Sequence, residues 1–189
     1  MKLKGKRIGY ILTGSFCTFS KTIPVIKELV KNGAEVIPIM SYNSYNLDTK
    51  FGKAQDFIKE IEEITGKKII HTIQEAEPIG PKKITDIMVI APCSGNTISK
   101  LAYDIIDTPA TMAAKSHLRN NKPLVIAVST NNGLGANAES IGRLLYRRNY
   151  YFVPFKQDNP ITKPRSIVAD FNMIIKIPEQ NNETNELNY

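Results

Sequence analysis

The sequence predicts an α/β fold built around a largely parallel β-sheet, and three observations carry that expectation. The stretch from Asp86 to Ala102 is an apolar, β-branched run ending at Pro92, then a small polar loop, then a helical pattern, as where a strand feeds a helix. Residues 6–40 read as a complete β-α-β unit, for which a right-handed crossover and a parallel strand pair are expected. Pro123 to Ser129 is almost wholly apolar, the pattern of a strand covered on both faces.

In chain order, the first strand spans Lys6 to Thr13, with Ile8, Tyr10 and Leu12 alternating and Thr13-Gly14-Ser15 breaking it. A helix from Phe16 to Lys31 follows, its apolar positions Phe19, Ile23, Ile26, Leu29 and Val30 near helical spacing, and Asn32-Gly33 stops it. Ala34 to Met40 is the second strand. Tyr42-Asn43-Ser44-Tyr45-Asn46 comes after it as a polar, aromatic stretch that can wall a pocket. A helix over Phe51 to Ile64 ends at Gly66, Lys67 to His71 is a third strand, and Thr72 to Thr85 is a long loop of a kind that is often functional.

Asp107-Thr108-Pro109 breaks the chain after the central strand and helix. Thr108 is then a cap, and Pro109 the first residue, of a helix reaching Arg119. The apolar strand 123–129 runs into Thr130-Asn131-Asn132-Gly133-Leu134-Gly135, a second glycine-bearing polar loop. Ile141 to Arg148 is helical and Tyr151 to Phe155 a short strand. Lys156 to Arg165 is a basic, proline-containing loop, Ser166 to Ile175 a last helix, and 179–189 a polar tail expected to be disordered. Residues 1–178 are expected to form one domain.

Composition narrows the function. Hydrophobic residues at 42% and charged residues at 23% fit a soluble globular chain, and no apolar run reaches the ~20 residues of a membrane span. The basic start leads straight into an amphipathic strand and not into a signal-peptide core, so a cytoplasmic protein without a membrane role is expected. The net charge of +7 comes from scattered residues with no nucleic-acid motif, and acidic small substrates or an acidic partner explain it equally well. Cys17 and Cys93 have neither metal-type nor CxxC spacing, so no metal site or disulfide is expected. Cys17 reads as a buried small side chain, His117 as a surface residue, and His71 as a structural histidine or an acid or base.

The candidate site lies at strand carboxyl ends, where loop amides and helix starts favour anions and polar rings. Ser94, Gly95, Asn96 and Thr97 can cap a helix, bind a ligand, or both. Thr13-Gly14-Ser15 has one glycine where a dinucleotide fingerprint has three, and no acidic residue closes the second strand. That chemistry suits a single phosphate, with Gly14 and Ser15 amides and Thr13 and Ser15 hydroxyls as donors. Thr130 and Asn131 belong to a second such loop, making a crevice.

Together, Thr13-Gly14-Ser15 and Ala91-Pro92-Cys93-Ser94-Gly95-Asn96-Thr97-Ile98-Ser99-Lys100-Leu101-Ala102 resemble the flavin-containing Cys decarboxylase-like flavoproteins, whose pattern is A-P-x-x-A-N-T-x-x-K-x-A. The resemblance covers most of residues 6–155. It implies a doubly wound parallel sheet, a three-layer αβα Rossmann-like flavoprotein fold, in a homo-oligomer that binds FMN. Gly14 and Ser15 would then lie near the phosphate, Ser41 after the second strand, and Ser94 and Thr97 around the flavin. The family's A-M-N-x-x-M segment is matched only at Asn131, and its histidine before A-P has no counterpart at that distance. Gly14 to Phe19, Ala91 to Thr97, Met112 to His117 and Thr130 to Gly135 resemble more closely a subfamily that forms one component of a two-component, sporulation-associated synthase. That resemblance implies a small cyclic dicarboxylate substrate and a partner subunit carrying NADP. Alternatives are a non-catalytic structural or channelling partner, or an FMN-dependent decarboxylase or flavin prenyltransferase. No catalytic residue is assigned.

Overall fold

The computed structural model describes residues 3–176. The expected tail, 179–189, lies outside the described residues. Five parallel strands form the centre, in spatial order β2 (Glu35–Met40), β1 (Arg7–Leu12), β3 (Ile87–Cys93), β4 (Leu124–Thr130) and β5 (Tyr150–Phe152). Alternation along the strands divides the core. Ile8, Tyr10 and Leu12 of β1, with Val89, Ala91, Val125 and Ala127, pack under α1 (Phe19–Lys31) and α3 (Ala54–Thr65). Ile11, Met88, Ile90, Leu124, Ile126 and Val128 pack on the other face. That face is covered by α5 (Gly95–Ala102), α6 (Pro109–Leu118) and α7 (Ala136–Leu145). This is the doubly wound arrangement, and every residue of β3 is buried, as a strand covered on both faces requires. Among the described residues, no helix is long and apolar enough to cross a membrane.

Several expectations change. The segment 67–71 contributes one bridge, Ile39 to Ile70, because only Ile70 lies in register with β2 before Thr72 starts a new turn. The expected loop 72–85 is partly helical, with α4 (Ile73–Ala76) running into a 3-10 turn at Glu77–Ile79. Its start is a capping box: Thr72 Oγ1 accepts the Glu75 amide at 3.2 Å, and Glu75 Oε2 accepts the Thr72 amide at 3.1 Å. Ser116 of α6 then fastens the turn, donating to Glu77 O and accepting from the Gly80 amide.

The basic loop and last helix expected over 156–175 are instead a hairpin, β6 (Phe155–Asn159) and β7 (Lys163–Ala169), followed by a 3-10 turn at Phe171–Ile175. The hairpin makes the sheet mixed: β7 joins the carboxyl end of β4 antiparallel, pairing Ser129 with Val168 and Thr130 with Ile167. Ile167, Ala169, Phe171 and Ile174 are all buried, a spacing too short to separate strand from helix by periodicity. Cys17 is exposed where a buried side chain is expected, because a 3-10 turn at Phe16–Thr18 precedes α1 and turns it outward.

His117 is the plainest correction, since it is fully buried at the amino edge of the sheet. Its Nε2 donates to Pro123 O at 2.9 Å, so its Nδ1 accepts from Thr85 Oγ1 at 2.8 Å, which is the neutral ring. Burial, the largest cause, pushes its pKa down to about 4, against the hydrogen bond to Pro123 O, and nearby Lys122 lowers it further. Beside it Asp86 accepts Arg7 Nη2 at 2.7 Å, the Arg7 amide at 3.0 Å and Lys122 Nζ at 3.2 Å. The Arg7 hydrogen bond holds the carboxyl well below its usual range.

These two groups give pH-dependent stability in separate windows. With its folded pKa about 4 against an ordinary 6.5, His117 contributes stability that is present above pH 6.5 and lost as pH falls toward 4. The loss is up to about 3 kcal/mol. Asp86, also depressed, adds its loss only below its unfolded pKa of about 4. Urea melts of wild type and His117→Gln from pH 7 to pH 4 should show a fall in wild type that is flattened in the variant. Equal slopes would remove the assignment.

Candidate functional site

Thr13, fully buried, sits directly after β1. Its hydroxyl donates to Pro92 O at 2.7 Å and accepts the Ser94 amide at 2.9 Å, while its own amide donates to Pro92 O at 3.3 Å. The loop after β1 is thereby laced to the loop after β3, where the Ala91-Pro92 peptide is cis. Behind that junction Tyr10 donates to Thr22 Oγ1 at 2.6 Å, and Thr22 Oγ1 donates to Ala91 O at 3.0 Å. Ser15 extends the lacing to the third strand end, its hydroxyl donating to Ser129 O at 2.6 Å.

On the solvent side of this junction opens a cleft of about 380 Å³, within the size range of small-ligand sites. Its walls are Gly14, Ser41, Tyr42, Asn43, Ser94, Asn96, Thr97, Lys100, Asp107 and Thr108. Three of these are helix N-caps. Ser41 caps α2 (Tyr42–Asn46) through the Ser44 amide, Ser94 caps α5 through the Thr97 amide, and Thr108 caps α6 through the Thr111 amide. The starts of α5 and α6 therefore direct positive dipole potential into one space. Lys100 Nζ binds both Asp107 oxygens, at 2.7 and 2.5 Å.

The cap of α5 is Ser94, so Asn96 is free of that duty and stands exposed at the second helical position on the cleft wall. A Cβ built on Gly14 would meet its nearest neighbours, Asn43 Cβ and a Phe16 ring carbon, only at 3.9 Å, leaving space on the cleft side. Gly95 differs, because a Cβ there would stand 2.6 Å from Thr130 Oγ1 and closer still to Asn137 Oδ1. Its smallness lets α5 approach the start of α7, where Asn137 Nδ2 donates to Gly95 O at 3.2 Å and to Ser99 Oγ at 3.0 Å.

Of the ten residues singled out in sequence, Gly14, Ser41, Ser94, Asn96 and Thr97 meet on the cleft. Thr13 and Ser15 lie beneath it with hydroxyls committed to carbonyls. Gly95 and Thr130 pack together around Asn137, and Asn131 Oδ1 faces Ser166 Oγ at 3.5 Å. Tyr42 and Asn43, from the polar stretch expected to wall a pocket, also line the cleft, whereas sequence reading misses Lys100, Asp107 and Thr108 as cleft residues. Lys100 has a signal: it follows Asn96 by four, which puts both on one helix face. His71 stacks on Tyr45 with ring centroids 3.9 Å apart and lies off the cleft. Among the described residues no group of three His, Cys, Asp or Glu side chains is placed to hold a metal ion.

Comparison with known proteins agrees with this architecture. The B subunit of dipicolinate synthase from Bacillus subtilis is 48% identical over 91% of this chain and 86% of its own length. The crystal structure of the corresponding B subunit from Bacillus halodurans superposes with a TM-score of 0.86 at 44% identity, covering 95% of this chain and 92% of that one. Burkholderia xenovorans DmrB, crystallised in complex with FMN, has the same fold, with a TM-score of 0.67 at 15% identity over 96% of this chain and 98% of its own. A family model described as Flavoprotein matches residues 1–151. The laced strand ends, the capped helix starts and this match over most of the chain lead to one conclusion: the protein belongs to the flavoprotein family.

Proposed function

We propose that this chain is the B subunit of a dipicolinate synthase, acting with the A subunit of that synthase to form dipicolinate from a dihydrodipicolinate precursor during sporulation. The observation that carries the reading is a cleft walled by the starts of α5 and α6 and by Gly14, in a chain 48% identical to such a protein. Aromatisation removes a hydride and a proton from the precursor. FMN held at the cleft, or NADP on the A subunit, would supply the hydride acceptor.

The residues present fit a mononucleotide. Gly14 leaves room for close approach of a phosphate, and the Ser94 and Thr97 hydroxyls line the same wall. Asn43 and Asn96 offer side-chain amides on the same cleft for a polar ring. Thr13 and Ser15 act indirectly, keeping the loops that carry these groups at fixed separation. Thr130 stands behind Gly95 and supports the same wall, and Asn131 follows it in the same loop. The protein is read as a cytoplasmic homo-oligomer. A second reading, a non-catalytic channelling partner of the A subunit, is favoured by one observation: among the described residues the one carboxylate on the cleft, Asp107, is already bound to a lysine.

Two variants test the FMN site by calorimetric titration with thermal melts alongside. Gly14→Val places methyl groups in the cleft while its Cβ meets only ordinary contacts, so melting should hold and FMN binding should be lost. Asn96→Asp puts a carboxylate on the second residue of α5, where the dipole stabilises it by about 0.3–1 kcal/mol. Melting should therefore hold or rise, while FMN affinity falls by about tenfold or more, the equivalent of ~1.4 kcal/mol. FMN binding unchanged in both variants would withdraw the site. Gly95→Ala serves as the contrast, losing about 1–3 kcal/mol of stability through overpacking against Thr130 and Asn137. The assignment within the synthase is tested separately: undiminished dipicolinate formation by the A subunit without this chain would end it.

A further inference from the structure

We infer that Lys100 is the carboxylate-binding residue of the cleft and that Asp107 is its resting partner, released when a substrate carboxylate arrives. The inference rests on the dicarboxylate reading above and assigns the residue that recognises that substrate class. Four observations support it. Lys100 and Asn96 are four residues apart on α5 and both line the cleft, so the helix presents an amide and an ammonium along one wall. The Lys100 side chain is only 21% exposed, a setting in which an ammonium needs an anionic partner. Asp107 holds it through both oxygens yet is itself 54% exposed. Asp107 also immediately precedes Thr108, the cap of α6, so after release it keeps both water and the positive end of that helix.

The pair is therefore unequal. Lys100 cannot be left alone, whereas Asp107 can. A lysine–carboxylate pair with one partner this exposed has little net strength, and a ligand carboxylate entering between two helix starts competes with it on favourable terms. No bond is made or broken in the exchange, because Lys100 passes its hydrogen bonds from one carboxylate to another. The ordinary alternative is a clamp that fastens the last turn of α5 to the start of α6.

The two accounts differ in sign. If the pair were a clamp, removing either member would have the same effect, whereas an exchange makes the two substitutions act in opposite directions. Dipicolinate is titrated into full-length wild type, Lys100→Gln, Lys100→Arg and Asp107→Asn, with and without saturating FMN. Lys100→Gln should weaken dipicolinate binding by about tenfold, Lys100→Arg should retain most of it, and Asp107→Asn should tighten it by about threefold, since a competing carboxylate is gone. Melting temperature should stay close to wild type in Lys100→Gln and Lys100→Arg and fall in Asp107→Asn without ligand, where Lys100 has lost its anionic partner. Weakening by both Lys100→Gln and Asp107→Asn, or an effect of neither, overturns the inference. A wild type that binds FMN but no dipicolinate also overturns it and leaves the flavin reading standing. Opposite effects without any FMN binding support the Lys100 assignment and overturn the flavin reading instead.

Discussion

One side chain holds the carboxyl edge of this sheet together. Thr13 uses its hydroxyl in both senses, donating to one strand end and accepting from the helix start beyond it. A hydroxyl buried without partners would be costly, so the pairing is compulsory and fixes the distance between the loops after β1 and β3. Ser15 repeats the device toward β4. The polar groups that wall the cleft are thus carried on loops whose spacing is set from below, while the helix caps above them settle which amides are already satisfied.

The opposite edge of the sheet is built by different means. There the contacts are ionic and aromatic: Asp86 gathers Arg7 and Lys122, and the neutral ring of His117 spans Thr85 and Pro123. These groups join the starts of β1, β3 and β4, so their strength goes into the fold and none of them reaches the cleft. The separation of roles is typical of open α/β sheets, in which ligands gather outside the carboxyl ends of the strands.

Much of this is legible in the sequence, for identifiable reasons. The parallel strands declare themselves through short β-branched runs, and Thr108-Pro109 announces the start of α6 by the pairing of a capping residue with proline. The loops after β1 and β3 follow from strand ends alone. What escapes is decided by tertiary partners. His117 sits among polar neighbours in sequence, yet the fold points it inward at Thr85, thirty-two positions away. Ile167 to Ile174 has spacing compatible with either element, and the choice of strand comes from β4, which offers Ser129 and Thr130 as pairing partners. Lys100 is visible as a letter of the motif, but its relation to Asp107 depends on how the chain turns between α5 and α6.

The hairpin also has a mechanical consequence. Ile167 lies against Gly133, and Arg165 O accepts the Leu134 amide at 3.0 Å, so the arm is fastened to the loop that leads into α7. Asn137, two residues beyond Gly135, in turn holds Gly95 at the head of α5. The hairpin, the loop that leads into α7 and the head of α5 are thus joined in one continuous series of short contacts, so the antiparallel arm shares its packing with the helix that Ser94 caps and that carries Asn96.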